Sequence, residues 1–297
     1  MMPDRRHPAQ DATDVEEPTP AVARWLLRTR LRRLREQRML TQEQVAEEME
    51  WSLSKVIRIE SGAIGVSVSD MRALLVAYLV DDHAQVDELR QLVLIARSRQ
   101  DRRIFQIPPS VRAVFEQVAH FERSATVIDV HAPTWIPDLL QTREYAAGLA
   151  PLRLASHFAA DDVATSVVQR QEWLARRAGR VQTRFLIQEA VLHRQVGGAS
   201  VLAAQLGRLL EAPTVRVIPG TVAARCVAAP TFAMMTVGDH GTLAFVHGFD
   251  GSVQIVEEPE RLTQLQSALS EAGQLAADAT TSARLIRVCQ AATDPRC

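Results

Sequence analysis

The spacing of hydrophobic positions at the start of the chain predicts a series of amphipathic helices. Leu27, Leu31 and Leu34 recur at i, i+4 and i+7, which places them on one face of a helix predicted over Arg24–Arg38. Further helical stretches follow before residue 100. These are QEQVAEEM, LSKVIRIES, MRALLVAYLV and residues 84–100. The pattern therefore predicts a compact all-α domain over residues 21–103.

Capping residues mark the start of the second and third helices. Thr41, with Gln44 three residues later, forms a capping-box pattern in which each side chain binds the other residue's backbone N–H. Ser52 is an N-cap residue for the third helix, and Gly62 is expected to end this helix because glycine is common at helix C-termini. Two short helices joined this closely predict a helix-turn-helix, which inserts its second helix into the DNA major groove.

The hydrophobic pattern changes after Pro108 and Pro109, which interrupt helices and lie in a linker predicted over residues 104–110. Beyond them, helical stretches alternate with β-rich runs that are bounded by Gly, Pro and Asp. The predicted strands are TVIDVH, RFLIQEAVL (a strand or strand-turn), TVRVIPG, TFAMMTV, TLAFVHG and SVQIVEE. The predicted helices cover residues 110–123, 142–149, 161–177, 199–210, 259–277 and 281–291. This pattern predicts a C-terminal α/β or α+β domain over residues 111–297, with a mostly antiparallel sheet.

Composition narrows the class of protein. The chain has 297 residues, of which 47% are hydrophobic and 23% charged, as in ordinary globular proteins. Residues 1–20 are polar and rich in proline and acid, so we expect a disordered tail there and no secretory signal. The apolar run Ala73–Val80 is far shorter than the roughly 20 residues of a membrane helix. We therefore expect a cytoplasmic protein that does not bind membranes.

Positive charge is concentrated in one segment. The net charge of the chain is −1, but Arg24–Arg38 contains seven arginines and a single acid, Glu36. Such a concentration indicates either a phosphate-bearing partner or a solvated helix face, and the adjacent helix-turn-helix favours DNA.

The predicted DNA contacts follow from position on the three helices. Val56 and Ile59 face inward on the third helix, so the side chains opposite them are expected to face the groove. Glu60 is expected to orient an arginine of the first helix, and Leu53 either contacts a thymine methyl or packs on Trp51. The predicted DNA-binding residues are Arg32, Arg35, Gln42, Trp51, Ser52, Ser54, Lys55 and Arg58.

The segment LRRLREQRMLTQEQVAEEMEWSLSKVIRIESG resembles the helix-turn-helix of the xenobiotic-response-element (XRE) repressor family, which is lambda-repressor-like. IPDLLQTREYA (Ile136–Ala146) resembles the LLQT signature of a C-terminal domain fused to such repressors in actinomycetes, in proteins described as antitoxin-like regulators. Other blocks similar to the family are ERSA (Glu122–Ala125), RQEWL, FLIQEAVLHRQVGG and TVRVIP. The resemblance covers about residues 24–292.

The resemblance implies a transcriptional regulator that binds double-stranded DNA in a sequence-specific manner. A homodimer would place two recognition helices on half-sites about 10–10.5 bp apart. The C-terminal domain would serve dimerisation, sensing of a small-molecule effector, or both. The alternative is an antitoxin-like protein that binds a small acidic partner protein and regulates its own operon.

The sequence departs from the family pattern at three positions. Glu50 stands where many helix-turn-helix proteins have glycine, so we expect backbone strain in the turn. Asp138 and Arg143 replace the usual Gly and Pro of the LLQT signature. The LLQT segment is either part of a ligand or partner site or a buried turn after a strand.

Motifs for catalysis and cofactor binding are absent from the sequence. It contains no Walker A motif, no dinucleotide glycine fingerprint and no GxSxG. Cys226, His240 and His247 are too irregularly spaced to predict a metal site, and the three cysteines form no CxxC. We therefore predict no enzyme, no cofactor and no metal. The remaining alternatives are a Cys226–His pair as a nucleophile, or an enzyme domain over residues 110–292.

Overall fold

The computed structural model describes residues 17–98, 107–153, 158–226, 229–248 and 252–293. The helices are α1 (Pro20–Gln37), α2 (Gln42–Glu48), α3 (Leu53–Glu60), α4 (Val68–Ala77), α5 (His83–Arg97), α6 (Arg112–Ser124), α7 (Arg143–Arg153), α8 (Ala160–Arg176), α9 (Ala199–Leu210), α10 (Gly220–Ala223), α11 (Pro259–Leu275) and α12 (Ala279–Thr293). The strands are β1 (Val127–Ala132), β2 (Gln182–Gln188), β3 (Val215–Ile218), β4 (Phe232–Thr236), β5 (Thr242–His247) and β6 (Val253–Val256). The predicted fold class is confirmed: an all-α N-terminal region precedes a domain of helices and a mostly antiparallel sheet.

The first helix begins earlier than the leucine pattern indicated. Pro20 starts α1, where a proline is favoured because the first helical residue needs no N–H partner. Thr19 caps this helix and is buried, and its hydroxyl oxygen accepts the Val22 N–H at 3.4 Å. Thr19 and Pro20 were assigned to the disordered tail, and that part of the prediction is wrong. The tail residues 1–16 lie outside the described part of the chain.

The six strands form one mixed sheet in the order β3-β2-β1-β4-β5-β6. Strands β1, β2 and β3 run parallel to one another. In the pairing of β1 with β2, Val127 lies opposite Gln182. Strands β4, β5 and β6 continue the sheet antiparallel from β1. The strand RFLIQ ends at Gln188 and continues as a 3₁₀ turn over Glu189–His193, in agreement with the strand-turn alternative.

Alternation along the strands separates two apolar layers. One face of the sheet packs on α11, through Leu186, Met234 and Ala244 against Leu269 and Ala272. The opposite face carries the side chains that alternate with these, such as Ile187, Met235 and Phe245. The apolar cluster on this face continues into the N-terminal helices. The sheet is therefore covered on both faces, on one of them in part by the helical region.

Trp25 joins the helical region to the sheet. Its ring makes an edge contact with Phe121 of α6 at 5.6 Å between centroids, and Phe121 makes the same kind of contact with Phe245 of β5 at 5.6 Å. Arg28 forms an ion pair with Glu257, which follows β6. These contacts fix α1 against the C-terminal domain. Of the predicted linker, residues 104–106 lie outside the described segments, whereas Ile107 is buried.

Candidate DNA-binding surface

Local hydrogen bonds define where α2 and α3 begin, as the capping pattern predicted. The Gln44 backbone N–H donates to Thr41 Oγ1 at 3.1 Å, and the Thr41 N–H donates to Gln44 Oε1 at 2.8 Å. The Lys55 N–H donates to Ser52 Oγ at 3.2 Å. Both caps satisfy backbone donors that a helix leaves open in its first turn. The start of α3 is therefore fixed by its own sequence.

The turn between the two helices is tight and strained. The Trp51 N–H donates to the Ala46 carbonyl at 2.8 Å, which brings the turn back over the buried Ala46. Glu50 has a φ of 53°, in the left-handed region that favours glycine. The expected strain at Glu50 is therefore present. On the other side of the turn, Val56 and Ile59 are buried, as predicted for the inner face of α3.

Arg35, one of the predicted DNA contacts, is engaged inside the domain. Its side chain is only 10% exposed, and Nε and Nη2 donate to the two carboxylate oxygens of Glu60 at 2.6 and 3.0 Å. A third donor, Nη1, binds the Leu40 carbonyl at 2.6 Å. The hydrogen bonds that Arg35 donates to Glu60 raise the pKa of Arg35. The expectation that Glu60 orients an arginine of the first helix is confirmed, and this arginine is Arg35.

Two other predicted contact residues are also held by acids of the domain. Gln42 donates through Nε2 to Glu60 Oε2 at 2.8 Å, so its amide is engaged at the start of α2. Lys55 Nζ binds Asp70 Oδ1 at 2.8 Å and lies 3.4 Å from the centre of the Trp51 ring. Burial alone would raise the pKa of Asp70, but hydrogen bonds from Lys55 and Ser67 lower it. Lys55 and Trp51 thus brace the turn and α4 against each other.

The exposed face of α3 presents side chains at its start and along one stripe. The exposed residues are Ser52, Leu53, Ser54, Ile57 and Arg58. Within the described segments, the guanidinium of Arg58 has no hydrogen-bond or ionic partner, whereas its backbone carbonyl accepts hydrogen bonds from Ser61 Oγ and the Ile64 N–H. Arg32 is half exposed and binds Glu36 at 2.9 Å within α1. Ser52, Ser54 and Arg58 therefore share one surface, whereas Arg32 lies on a different helix.

Ile57 and Asp70 were missed in the sequence. Ile57 is 43% exposed and Leu53 38% exposed, one turn apart on the face opposite Val56 and Ile59. The spacing of four residues from Leu53 to Ile57 was the available signal, because residues four apart share a helix face. Nothing local identified Asp70, since its bond to Lys55 spans 15 residues.

The C-terminal domain contains a buried network of charged side chains. Arg170 of α8 donates to both oxygens of Glu122, at 2.8 and 2.5 Å, and to Asp138 Oδ2 at 3.1 Å. Arg153 of α7 binds Asp138 Oδ1 at 2.5 Å and His247 Nδ1 at 3.1 Å. Each of the four charged side chains is less than a tenth exposed. Asp138 is thus the centre of an ionic network.

In this network, burial and the neighbouring arginines shift the pKa of Asp138 in opposite directions. Burial would raise the pKa of Asp138, but Arg153 and Arg170 hold it well below its usual range. Burial, followed by the charge of Arg153, lowers the pKa of His247 to about 3, so this histidine is neutral. The network borders a cavity of about 30 Å³, which is room for one or two water molecules.

The LLQT segment is a buried turn, the second of the two alternatives. Asp138–Leu140 form a 3₁₀ turn after β1, and Gln141 is 2% exposed. Gln205 of α9 donates to the Leu140 carbonyl at 2.8 Å and accepts the Thr142 N–H at 2.7 Å. These bonds satisfy the polar backbone of a segment that is withdrawn from water. A ligand at this segment would have to displace them.

The histidines considered as metal ligands bind arginines. His240 Nδ1 lies 2.8 Å from Arg30 Nη2, and His247 binds Arg153. The side chain of Cys226 lies outside the described part of the chain. Within that part, no group of three His, Cys, Asp or Glu side chains is arranged to hold a metal ion. None of its helices combines the length and apolar character needed to cross a membrane.

Comparison with known families separates the two parts of the chain. Residues 26–89 match a helix-turn-helix domain, the class predicted from the capped helices. Residues 115–288, more than half of the chain, match a domain of unknown function, DUF5753. No curated protein and no solved structure matches the chain.

Proposed function

Because the chain belongs to the family defined by DUF5753 and carries a DNA-binding helix-turn-helix domain, we propose that it is a sequence-specific transcriptional regulator. The observation that carries the proposal is the exposed face of α3, where Ser52, Ser54 and Arg58 project from a helix clamped on its other side by Glu60. Arginine and serine are suited to guanine edges and phosphates. Leu53 and Ile57 add apolar groups that fit a thymine methyl.

We further propose that the regulator binds as a homodimer on a pseudo-palindromic site. A single helix-turn-helix reads a short half-site, so a second copy is needed for a specific operator. Exposed apolar side chains at the end of α4, Val76 and Leu79, are available for a contact between copies. The C-terminal domain would supply further dimer contacts or sense an effector.

The test is footprinting of the DNA upstream of the protein's own reading frame. We expect two protected patches about one helical turn apart. Arg58→Ala should reduce discrimination between operator and mutated operator by about 1–3 kcal/mol, the contribution of one good base contact. Arg38→Ala is the matched control, because Arg38 is also exposed but lies at the end of α1. Weak, sequence-independent DNA binding would instead favour the alternative of an antitoxin-like protein that binds a small partner protein.

A non-enzymatic role is part of the proposal. Cys289 is buried, and its Sγ lies 3.5 Å from His193 Nε2. Burial raises the pKa of this thiol, which opposes formation of the nucleophilic thiolate. The burial of this cysteine therefore does not favour covalent catalysis by the Cys–His pair. Alkylation by iodoacetamide at neutral pH should leave Cys289 unmodified in the folded protein.

A further inference from the structure

A cleft of about 210 Å³ separates α1 from the C-terminal domain beside the helix-turn-helix. One wall is a stripe of α1 that includes Arg28, Arg32 and Arg33, spaced so that they share a helix face. Thr242 at the start of β5 and Glu257 after β6 form the other wall. The volume suits a ligand smaller than a typical drug molecule.

The carboxylates around the cleft are already matched by cations. Glu257 binds Arg28, and Glu36 binds Arg32. Glu60, which also lines the cleft, is matched by Arg35. Arg33 is exposed and has no carboxylate partner in the part of the chain that the structure describes. The cleft lining holds three guanidinium groups and three carboxylates, and because Arg35 neutralises Glu60 from outside the cleft, the guanidinium of Arg33 is left unmatched.

The cleft is connected directly to the helix-turn-helix through Glu60. This carboxylate lies in the wall of the cleft and also binds Gln42 at the start of α2. It belongs to the last turn of α3, whose exposed face is the proposed base-reading surface. Arg28 reaches from the same wall to the Ser61 carbonyl at 3.5 Å. A ligand in this cleft would contact groups that set the position of both helices.

We propose that this cleft is a regulatory site for a small oxyanion, such as a phosphorylated or carboxylated metabolite, bound by Arg33 and by Arg32 beside the Arg28–Glu257 pair. Arg32 would exchange its solvent-exposed pairing with Glu36 for the ligand. This proposal rests on the proposed regulatory function, because the cleft would be the place where such a regulator binds its effector. Guanidinium groups bind phosphate and carboxylate through paired hydrogen bonds, which accounts for the ligand class. Binding there changes DNA affinity through Glu60 and the end of α3.

The test uses the full-length protein with inorganic phosphate, pyrophosphate and citrate as probes in isothermal titration calorimetry at constant ionic strength. We expect saturable binding of at least one probe with one site per chain. Arg33→Gln should weaken it about tenfold or more, the loss expected for a charge-assisted contact. The matched control is Arg38→Gln at the C-terminal cap of α1, which removes the same charge outside the cleft and should bind like the wild type.

A second readout measures operator affinity with and without the saturating probe. We expect a change of about fivefold or more in the wild type and none in Arg33→Gln. No saturable binding, or equal binding by the Arg33 and Arg38 variants, would overturn the proposal. If no probe binds and Arg33→Gln weakens DNA binding, the arginine stripe of α1 contacts DNA phosphates instead, which also overturns the proposal.

The two proposals fail separately. An intact footprint without probe binding rejects the oxyanion site and leaves the regulator function standing. Probe binding without any footprint rejects the regulator function alone.

Discussion

Glu60 binds several polar groups of the helix-turn-helix at once. Its two oxygens accept hydrogen bonds from Arg35 of α1 and Gln42 of α2, and the residue itself belongs to α3. Three helices thus meet at one buried carboxylate. Because removal of one partner leaves the other charge buried without compensation, such a position is sensitive to a change of charge.

Glu60→Gln should lower the free energy of unfolding by about 3 kcal/mol, because the buried Arg35 guanidinium would lose its counter-charge. The measurement is urea denaturation followed by circular dichroism. Glu36→Gln is the matched control, since Glu36 is 53% exposed and also lies near Arg35, and its effect should stay within about 1 kcal/mol. If both variants lose the same small amount of stability, Glu60 is not a buried counter-charge for Arg35.

His247 should make the protein less stable as the pH falls below 6.5. Its pKa is lowered from 6.5 to about 3 in the folded chain, by burial and then by Arg153. Between these values the unfolded chain binds a proton that the folded chain does not, so stability falls on acidification by about 1.4 kcal/mol per pH unit for this group.

The check is urea denaturation between pH 7 and pH 4.5 for the wild type and His247→Asn. The variant should show a shallower loss of stability, since asparagine can accept from Arg153 but does not titrate. His83→Asn, at an exposed histidine that begins α5, is the control and should follow the wild type. Identical slopes for the wild type and His247→Asn would contradict the prediction.

Residue-level prediction from sequence worked where the partners are close in the chain. Thr41 and Gln44 are three residues apart, and their mutual hydrogen bonds follow from residue type alone. Arg35 and Glu60 are 25 residues apart, so the sequence indicated only that Glu60 binds some arginine of α1. Which arginine is buried depends on the angle at which α1 crosses α3, and this angle is not encoded locally.

At the level of elements, the turn between α2 and α3 has a residue that conflicts with its backbone conformation. Glu50 adopts a φ of 53°, and Met39 and Leu79 have the same φ at the ends of α1 and α4. A side chain in this region costs roughly 1–2 kcal/mol relative to glycine. The turn is therefore held by the packing and hydrogen bonds around it.

Glu50→Gly should raise the free energy of unfolding by about 1 kcal/mol, because glycine adopts this conformation without a clash. Glu48→Gly provides a control with the opposite sign, since Glu48 is exposed in the last turn of α2 and glycine lowers helix stability by about 1 kcal/mol. Thermal denaturation of the two variants measures both effects. A loss of stability in Glu50→Gly would show that the side chain makes a contribution greater than the strain.

The existence of the strands was predictable, but their order was not. Runs such as TFAMMTV and TLAFVHG have continuous apolar centres and are bounded by turn residues, and they form β4 and β5. The sheet places β4 beside β1, about a hundred residues earlier in the chain. Strand pairing over that distance depends on the packing of the helices between, which no local pattern specifies.

At the scale of the whole molecule, Trp25 makes an aromatic contact that connects α1 to the C-terminal domain, beside the Arg28–Glu257 ion pair. Trp25→Ala should remove the contact with Phe121 and lower stability by about 3–5 kcal/mol. We also expect differential scanning calorimetry to resolve two unfolding transitions, because the two parts would lose their shared core. Trp25→Phe retains an aromatic ring and should unfold in one transition. One unchanged transition in Trp25→Ala would contradict this coupling.

The ion pairs of α1 limit how strongly DNA binding depends on counterion release. Of the seven arginines in Arg24–Arg38, at least four bind carboxylates of the protein itself, namely Arg28, Arg30, Arg32 and Arg35. Each phosphate contact contributes about 0.9 to the slope of log K against log salt. An arginine that already neutralises a carboxylate releases few ions from DNA. The affinity should therefore fall less steeply with salt than the number of arginines in α1 suggests, and discrimination among sequences would rest more on α3.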